Sequence, residues 1–231
     1  MPFPPLASSE WQARDDGGIE FTSALKGGLA VHFQVLPGDR MFEIRFGVTN
    51  RSLAALHTTW VQLCSGFEKM GTLRDQAPEG VRLLADGMPI GWKDAGQDVS
   101  WIEAQRDPVS CRLTRSCYFK AWARSHAEEA QLAQPAPDLM VLARTIDAPI
   151  VAKSSLDSRR HVAFYSPWGR AVMFNTFAPC CHSDPFMQEV PRGETRWIVL
   201  YGLFYEGELG ELFSALGAEH RVSRAEEGLP E

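Results

Sequence analysis

The sequence predicts an all-β protein, an antiparallel β-sandwich of two large sheets with one short C-terminal helix. Short apolar and aromatic segments recur between Gly, Pro, Asp and Ser residues from Leu29 to Tyr205, which is typical of many short strands. These segments do not alternate with long helical ones, as a parallel doubly wound sheet requires. The pairs Gly17-Gly18 and Gly27-Gly28 lack the spacing of nucleotide-binding loops.

The first strands are predicted from period-two alternation of apolar and polar residues. Residues 29–36 alternate and then reach the turn-forming Pro37-Gly38-Asp39, and residues 41–48 alternate again, so the two segments are expected to form a hairpin. Residues 58–64 are rich in β-favouring side chains and are expected to form a third strand.

The middle of the chain is less regular. Residues 66–98 are interrupted by Gly and Pro and are expected to form a long loop excursion with one short hairpin. Residues 118–132 are expected to be either helical from Ser125 or a polar loop. No repeat or linker divides the chain, so residues 1–231 are expected to form a single sandwich domain. Further strands are expected at residues 139–143, 150–152, 161–165 and 171–175.

The C-terminal third has the clearest pattern. A tight turn at Pro191–Thr195 precedes a long aromatic and β-branched strand over residues 196–205. Apolar residues at helical spacing over residues 209–216 predict a short closing helix. Residues 220–231 are polar and charged and are expected to form a flexible tail.

Composition and charge exclude several classes of protein. The 231 residues are 45% hydrophobic and 23% charged, and a chain with this much apolar surface is not intrinsically disordered. Lys and Arg total 23 against 29 Asp and Glu, and Arg159-Arg160 is the densest basic pair. We therefore expect no nucleic-acid partner and no binding to an anionic membrane. No segment has the ~20 apolar residues of a transmembrane helix.

The cysteines and the N-terminus indicate a compartment. Five cysteines are an odd number and too few for a disulfide framework, and residues 1–6 lack the basic and apolar regions of a secretory signal. We therefore expect a cytoplasmic protein with reduced thiols. For the adjacent Cys180-Cys181, buried thiols are favoured over a strained vicinal disulfide and over a pair of metal ligands.

A dense group of polar residues over 175–185 is the strongest candidate site. It is expected to lie on a loop after a strand, where several polar groups can converge from a fixed scaffold. His182 is a candidate acid or base because imidazole exchanges protons near neutral pH. Asp184 could orient His182 or bind a substrate hydroxyl, and Asn175 is a candidate substrate ligand. An ordinary turn, which Ser-Asp and Asp-Pro sequences favour, is an equally weighted alternative.

Four residues elsewhere are weaker candidates. His161 begins a predicted strand, and Lys153 ends a hydrophobic one, where a cation costs free energy unless it is paired. A lysine that reaches solvent from a sheet edge is the more ordinary alternative. Trp60 and Gln62 alternate onto one face of the third strand as a pair typical of sugar-binding surfaces, although Trp60 in the core is an equal alternative.

Metal and hydrolase chemistry have little support. His57, His161 and His182 are available for a three-histidine site in a small barrel, but the His-x-His spacing followed by a carboxylate is absent. We therefore expect no metal and no other cofactor. No Gly-x-Ser-x-Gly or His-Glu-x-x-His motif suggests a serine hydrolase or a zincin.

Two groups of motifs resemble those of uncharacterised bacterial all-β proteins. Near the C-terminus, Cys181-His182-Ser183-Asp184-Pro185 precedes Pro191-x-Gly193-Glu194-Thr195 and then Glu206-Gly207-Glu208-Leu209. Near the N-terminus, Asn50-Arg51-Ser52 precedes Trp60-Val61-Gln62-Leu63-Cys64. Such chains are similar to the large sandwiches of carbohydrate-active proteins, including the mutarotase-like and polysaccharide-lyase-like domains. The resemblance implies a fold, and a fold by itself does not determine function.

The expected function is binding of a sugar or sugar-derived substrate, either a small molecule or an oligosaccharide, with epimerase or lyase chemistry if the protein is an enzyme. His182 would be the base or acid, His161 its counterpart, and Lys153 the cation that stabilises developing negative charge. Asp184 would orient His182, and Trp60 would stack on the sugar ring. The alternatives are a non-catalytic structural or interaction module and a metal-dependent small-barrel enzyme. The oligomeric state is left open.

Overall fold

The computed structural model describes residues 10–57, 59–61, 65–66, 73, 80–95, 118–126, 139–142, 144–175 and 180–226. Within these residues, two facing β-sheets are formed mostly by antiparallel strands, and one helix packs on the outer side of the larger sheet. The predicted all-β sandwich with a C-terminal helix is confirmed.

The elements of the described residues are numbered in chain order. The strands are β1 (Gln12–Ala13), β2 (Ile19–Leu25), β3 (Leu29–Pro37), β4 (Met41–Asn50), β5 (Thr59–Trp60), β6 (Ser65–Gly66), β7 (Val81–Ala85), β8 (Met88–Gly91), β9 (Tyr118–Trp122), β10 (Leu139–Val141), β11 (Ile150–Ser154), β12 (Arg160–Tyr165), β13 (Gly169–Asn175), β14 (Cys180–Met187) and β15 (Thr195–Glu206). The α-helix is α1 (Leu209–Glu226), and short 3-10 helices cover Trp92–Ala95 and Arg124–His126.

The larger sheet has the strand order β1-β2-β3-β4-β15-β12-β11-β7-β8, and all of its neighbouring strands are antiparallel. The predicted hairpin is formed by β3 and β4, and its turn is closed by a hydrogen bond from the Gly38 N–H to the Met41 carbonyl. The predicted strand at 196–205 is β15, which lies at the centre of the sheet between β4 and β12.

The smaller sheet has the order β10-β9-β13-β14-β5, and β6 also pairs with β14. β9 and β10 are parallel, whereas the other pairs are antiparallel. Of the third strand expected at 58–64, residues 59–61 are described and the first two of them form β5, whereas residues 58 and 62–64 lie outside the described residues. The stretch 118–122, expected as a loop or as the approach to a helix, is instead the strand β9.

The main core lies between the two sheets. The larger sheet contributes Val81, Leu83, Val151, Val162, Phe164 and Leu200, and the smaller sheet contributes Ala121, Val172, Phe174 and Cys181. Because side chains alternate along a strand, these positions fix which residues of each strand face outward.

The helix α1 packs on the outer face of the larger sheet through Leu212, Phe213 and Leu216. It is longer than predicted, because the segment 220–226, expected as a flexible tail, is helical. Once the apolar first half has formed a helix against the sheet, extension through residues without Gly or Pro costs little. Among the described residues, no helix is long and apolar enough to cross a membrane.

The short hairpin expected within 66–98 is formed by β7 and β8, and β7 is a buried strand of the larger sheet rather than part of a loop. Its turn residues Asp86 and Gly87 have φ angles of 52° and 72°, as a two-residue turn of type I′ requires. Hydrogen bonds from Arg144 and then Arg124 lower the pKa of the Asp86 carboxyl.

Replacing Arg144 tests this turn network through its pH dependence. In Arg144→Gln we expect the pKa of Asp86 to rise, because the carboxylate loses its strongest charged donor. Because the pKa of Asp86 is lowered in the folded state, its ionised carboxylate stabilises the fold at pH values above its ordinary pKa. This stabilisation is lost as the pH falls through the lowered pKa. NMR titration would measure the change, with Asp157, whose pKa is lowered by Ser155, as the internal control. Equal shifts at both carboxyls would contradict the assignment.

Two glycines of β4 and β15 lie under aromatic rings of the opposite strand. In register, Gly47 is opposite Trp197 and Gly202 is opposite Phe42. A Cβ atom on Gly47 would lie 2.8 Å from the Trp197 ring, and one on Gly202 would lie 2.1 Å from the Phe42 ring. The two rings therefore cover the backbone on opposite faces of the central strand pair.

Gly202→Ala is expected to destabilise the protein by ~1–3 kcal/mol, the usual cost of overpacking, because the new methyl group displaces the Phe42 ring. The matched control is Gly210→Ala in α1, where a Cβ atom meets nothing within 4 Å. Chemical denaturation would measure both free energies of unfolding. Equal effects of the two substitutions would show that the Phe42 contact does not restrict position 202.

Candidate functional site

The segment that contains His182 is a strand, not the expected loop. Residues Cys180–Met187 form β14, which pairs with β13 along most of its length. Pro185 is accommodated because it lies opposite Gly169, where the register of β13 shifts at an irregularity. Both the expected loop and the alternative of an ordinary turn are therefore wrong for this segment.

Alternation along β14 separates its polar residues. Cys181 belongs to the core between the sheets, so Ser183 points the same way, whereas His182 and Asp184 lie on the outer face of the smaller sheet. Met173 of β13 is opposite His182 on one side and opposite Lys120 of β9 on the other. The register thus brings Lys120 to the same face as the two polar residues.

The three polar side chains form a buried cluster. His182 Nδ1 donates to Asp184 Oδ1 at 2.5 Å, and Lys120 Nζ lies 3.6 Å from Asp184 Oδ2. Lys120 Nζ also lies 4.7 Å from the centre of the Trp122 ring. The side chain of Asp184 has no exposed surface, that of His182 has 4% and that of Lys120 has 12%.

This arrangement can orient an imidazole for proton transfer. A carboxylate that accepts from Nδ1 fixes the ring and its tautomer and leaves Nε2 to exchange a proton. No described residue hydrogen-bonds Nε2 of His182. The ammonium of Lys120 balances the charge of Asp184, which would be costly in a buried position without it.

His161 is not the counterpart of His182. It lies on β12 of the larger sheet, on the same face as Ala163 and Tyr165, which α1 covers. His182 faces outward from the smaller sheet. The two imidazoles therefore lie on opposite outer faces of the sandwich, which corrects the expected acid–base pair.

Lys153 is also separated from the cluster. Its register partners are Val81 and Val162, both of the core, so it points between the sheets. With 1% of its surface exposed, it is not the solvent-reaching edge lysine of the ordinary alternative. The cation beside the His182–Asp184 pair is Lys120 instead.

The candidate substrate-binding residues are only partly described. Trp60 pairs in register with Phe186, two residues after Asp184 on β14. Asn175 ends β13 and is opposite Tyr118. Gln62 and the side chains of Trp60 and Asn175 lie outside the described part, so their substrate roles stay predictions.

The described histidines and cysteines do not form a metal site. No group of three or more His, Cys, Asp or Glu side chains within the described ranges is arranged to hold an ion. His57 is 92% exposed and lies 3.8 Å from Glu189, whereas His161 and His182 are buried. Cys180 and Cys181 are buried thiols, as expected.

Lys120 and Trp122 were missed in the sequence. Residues 118–122 contain three aromatic side chains, which favour a strand, but the alanines and the charged residues that follow favoured a helix or a polar loop. The contact between Lys120 and Asp184 depends on the register across β13, which no local pattern contains.

No family model matches the chain, and no curated protein matches it. Among solved structures, the Slr1438 protein from Synechocystis sp. PCC 6803 is 9% identical with a TM-score of 0.50, over 86% of this chain and 66% of that one. A galactose mutarotase related enzyme from Lactobacillus acidophilus is 11% identical with a TM-score of 0.44, over 88% and 74%. An aldose epimerase homologue from C. elegans is 10% identical with a TM-score of 0.36, over 87% and 69%.

The likeness to the Slr1438 protein shows a shared fold. The chain spans just under two thirds of the length of that protein.

Lys120→Met is expected to lower the free energy of unfolding by about 3–5 kcal/mol, because it leaves the buried Asp184 carboxylate without its cation. The matched control is Lys93→Met, since Lys93 also lies over an indole, that of Trp92, but is exposed. The double variant Lys120→Met/Asp184→Asn should recover part of the loss, which a double-mutant cycle would measure. Additive effects of the two substitutions would contradict the pairing.

Proposed function

We propose that the protein binds a monosaccharide at the His182–Asp184 pair and catalyses interconversion of its anomers by acid–base opening of the ring, as in aldose 1-epimerase chemistry. The observation that carries the proposal is the buried hydrogen bond between His182 Nδ1 and Asp184 Oδ1, with the Lys120 ammonium beside it. The sequence is similar to mutarotase-like sandwiches of carbohydrate-active proteins, and the two-sheet fold agrees with that resemblance.

The proposed reaction opens and recloses the sugar ring. His182 Nε2 takes the proton of the anomeric hydroxyl while an acid protonates the ring oxygen and the C1–O5 bond breaks. Among the described residues, Lys120 is the cation beside the pair and the candidate for this acid. After rotation about the C1–C2 bond, the hydroxyl adds to the other face of the carbonyl and both protons return. The oxidation state of the sugar does not change.

Asp184 has a positioning role in this proposal. Its carboxylate holds the proton on Nδ1, and it stabilises the imidazolium that forms when Nε2 takes a proton. Its complete burial strengthens both effects, because water does not screen the pair.

His182→Asn is expected to lower the rate of anomer interconversion by ~100-fold or more, the usual loss when acid–base help is removed. The asparagine amide retains a donor for Asp184, which limits the effect on folding. Polarimetry on freshly dissolved α-D-glucose and α-D-galactose would measure the rate above the spontaneous one. The matched control is His57→Asn, because His57 is 92% exposed. Full activity of His182→Asn would rule out the proposed base.

Lyase chemistry is tested in the same samples. If the protein converts a uronate polymer to an unsaturated product, which absorbance detects, a lyase replaces the epimerase proposal. In that lyase the His182 imidazole would remove the proton from the carbon next to the carboxylate.

A cytoplasmic location is also proposed, and the buried thiols of Cys180 and Cys181 agree with a reducing compartment.

The burial of the pair favours a second candidate, a non-catalytic module in which His182 and Asp184 only stabilise the smaller sheet. Only 4% of the His182 side chain and none of the Asp184 side chain is exposed. In that case His182→Asn lowers the melting temperature, and the wild-type protein accelerates no sugar interconversion.

A further inference from the structure

A cavity of about 730 Å³ opens at one end of the larger sheet. Its volume is within the ~300–1,000 Å³ typical of small-molecule sites and large enough for a monosaccharide. It lies where β12 begins and β15 ends, beside the β3–β4 turn. Among the described residues, its polar and aromatic lining is Arg40, Arg160, His161, Phe204, Tyr205 and Glu206.

Two arginines give this cavity a positive character. Arg160 lies 4.0 Å from Glu206, and the two side chains are 64% and 67% exposed, so the pair holds neither group firmly. No described residue forms a salt bridge with Arg40. Glu206 is the one carboxylate among the described lining residues, so the arginines outnumber the acids.

An exposed aromatic ring lies beside the arginines. Phe204 keeps 46% of its surface exposed, and its ring is held by Phe42, with the centroids 5.8 Å apart. The Phe204 N–H donates to the Arg40 carbonyl at 2.8 Å, which fixes the turn that carries Arg40 relative to the ring. An aromatic face next to charged donors suits a sugar ring, which has an apolar face and a polar edge.

Hydrogen bonds hold His161 and Tyr205, two residues of the cavity wall that lie beside the arginines and Phe204. His161 Nε2 donates to the Gly207 carbonyl at 3.1 Å, so its Nδ1 accepts from the Ser154 hydroxyl at 2.9 Å when the ring is neutral. Its ring stacks on Tyr205 at 6.3 Å, and the Tyr205 hydroxyl donates to Glu211 at 2.9 Å. His161 therefore positions the cavity wall rather than exchanging protons with a substrate.

We propose that this cavity binds a monosaccharide that carries a carboxylate or phosphate group. Arg40 and Arg160 bind the anionic group, because the guanidinium fork matches the oxygens of both anions. Glu206 accepts from ring hydroxyls, and Phe204 packs against the apolar face of the ring. The site is separate from the His182–Asp184 pair and does not depend on the proposed reaction there.

Calorimetric titration of the full chain with four probes tests the proposal: D-glucuronate, D-glucose 6-phosphate, D-glucose and inorganic phosphate. At least one of the two anionic sugars is expected to bind ~10-fold or more tightly than both glucose and phosphate, because charge-assisted hydrogen bonds and ring packing act together. The tighter of the two identifies the anionic group. Binding of neither anionic sugar at millimolar concentration overturns the proposal.

Variants locate the binding. Arg40→Gln and Arg160→Gln should each weaken binding of the anionic sugar ~10-fold or more, whereas the matched control Arg192→Gln, in an exposed turn, should leave it unchanged. Phe204→Ala should weaken binding of the sugar but not of inorganic phosphate. His182→Asn removes the sugar binding proposed at the polar pair, so binding of the anionic sugar that persists in titrations of this variant belongs to the cavity, and failure of the proposed reaction is distinguishable from failure of this site. If Arg192→Gln weakened binding of the anionic sugar as much as Arg40→Gln and Arg160→Gln do, the binding would depend only on the overall charge of the protein. That result would overturn the proposed site.

Discussion

Side-chain alternation along β14 is the constraint on which both the core and the candidate site depend. Cys181 and Ser183 face the core with no exposed surface, so His182 and Asp184 must face outward from the smaller sheet. A slip of one residue in the pairing with β13 would place the imidazole and the carboxylate in the apolar core and remove Cys181 from it. Core packing therefore fixes the position of the polar pair.

The charge of Asp184 makes the same cluster a constraint on the sheet. A buried carboxylate costs several kcal/mol unless hydrogen bonds and an opposite charge compensate it. Its two oxygens meet His182 of its own strand and Lys120 of β9, two strands away. The ion pair therefore crosses β13 and fixes the position of β9 relative to β14 along the strand direction. Ser183 shows the contrast, because its buried hydroxyl has no hydrogen-bond partner among the described residues and contributes no such link.

The sequence was sufficient for the elements whose pattern is local. Alternation with clear turn residues identified the β3–β4 hairpin, and a run of aromatic and β-branched residues after a tight turn identified β15. β14 was misread because Ser-Asp and Asp-Pro favour turns locally, whereas pairing with β13 and the register shift opposite Pro185 overrode that preference. Lys120 was missed for a different reason. Its role depends on a neighbour more than sixty positions later in the chain, and only the sheet order brings them together.

The path of the chain after β12 explains why the two buried histidines cannot cooperate. The chain leaves the larger sheet at Tyr165, turns through residues 166–169, where the Gly169 N–H donates to the Ser166 carbonyl, and enters the smaller sheet as β13. His161 precedes this crossing and His182 follows it, so their outward-facing side chains lie on opposite surfaces of the sandwich. The same crossing separates the arginine-lined cavity from the polar pair. The described lining of the cavity comes mainly from β12 and β15 of the larger sheet, whereas His182 and Asp184 belong to the smaller sheet, so the two sites share no described residue.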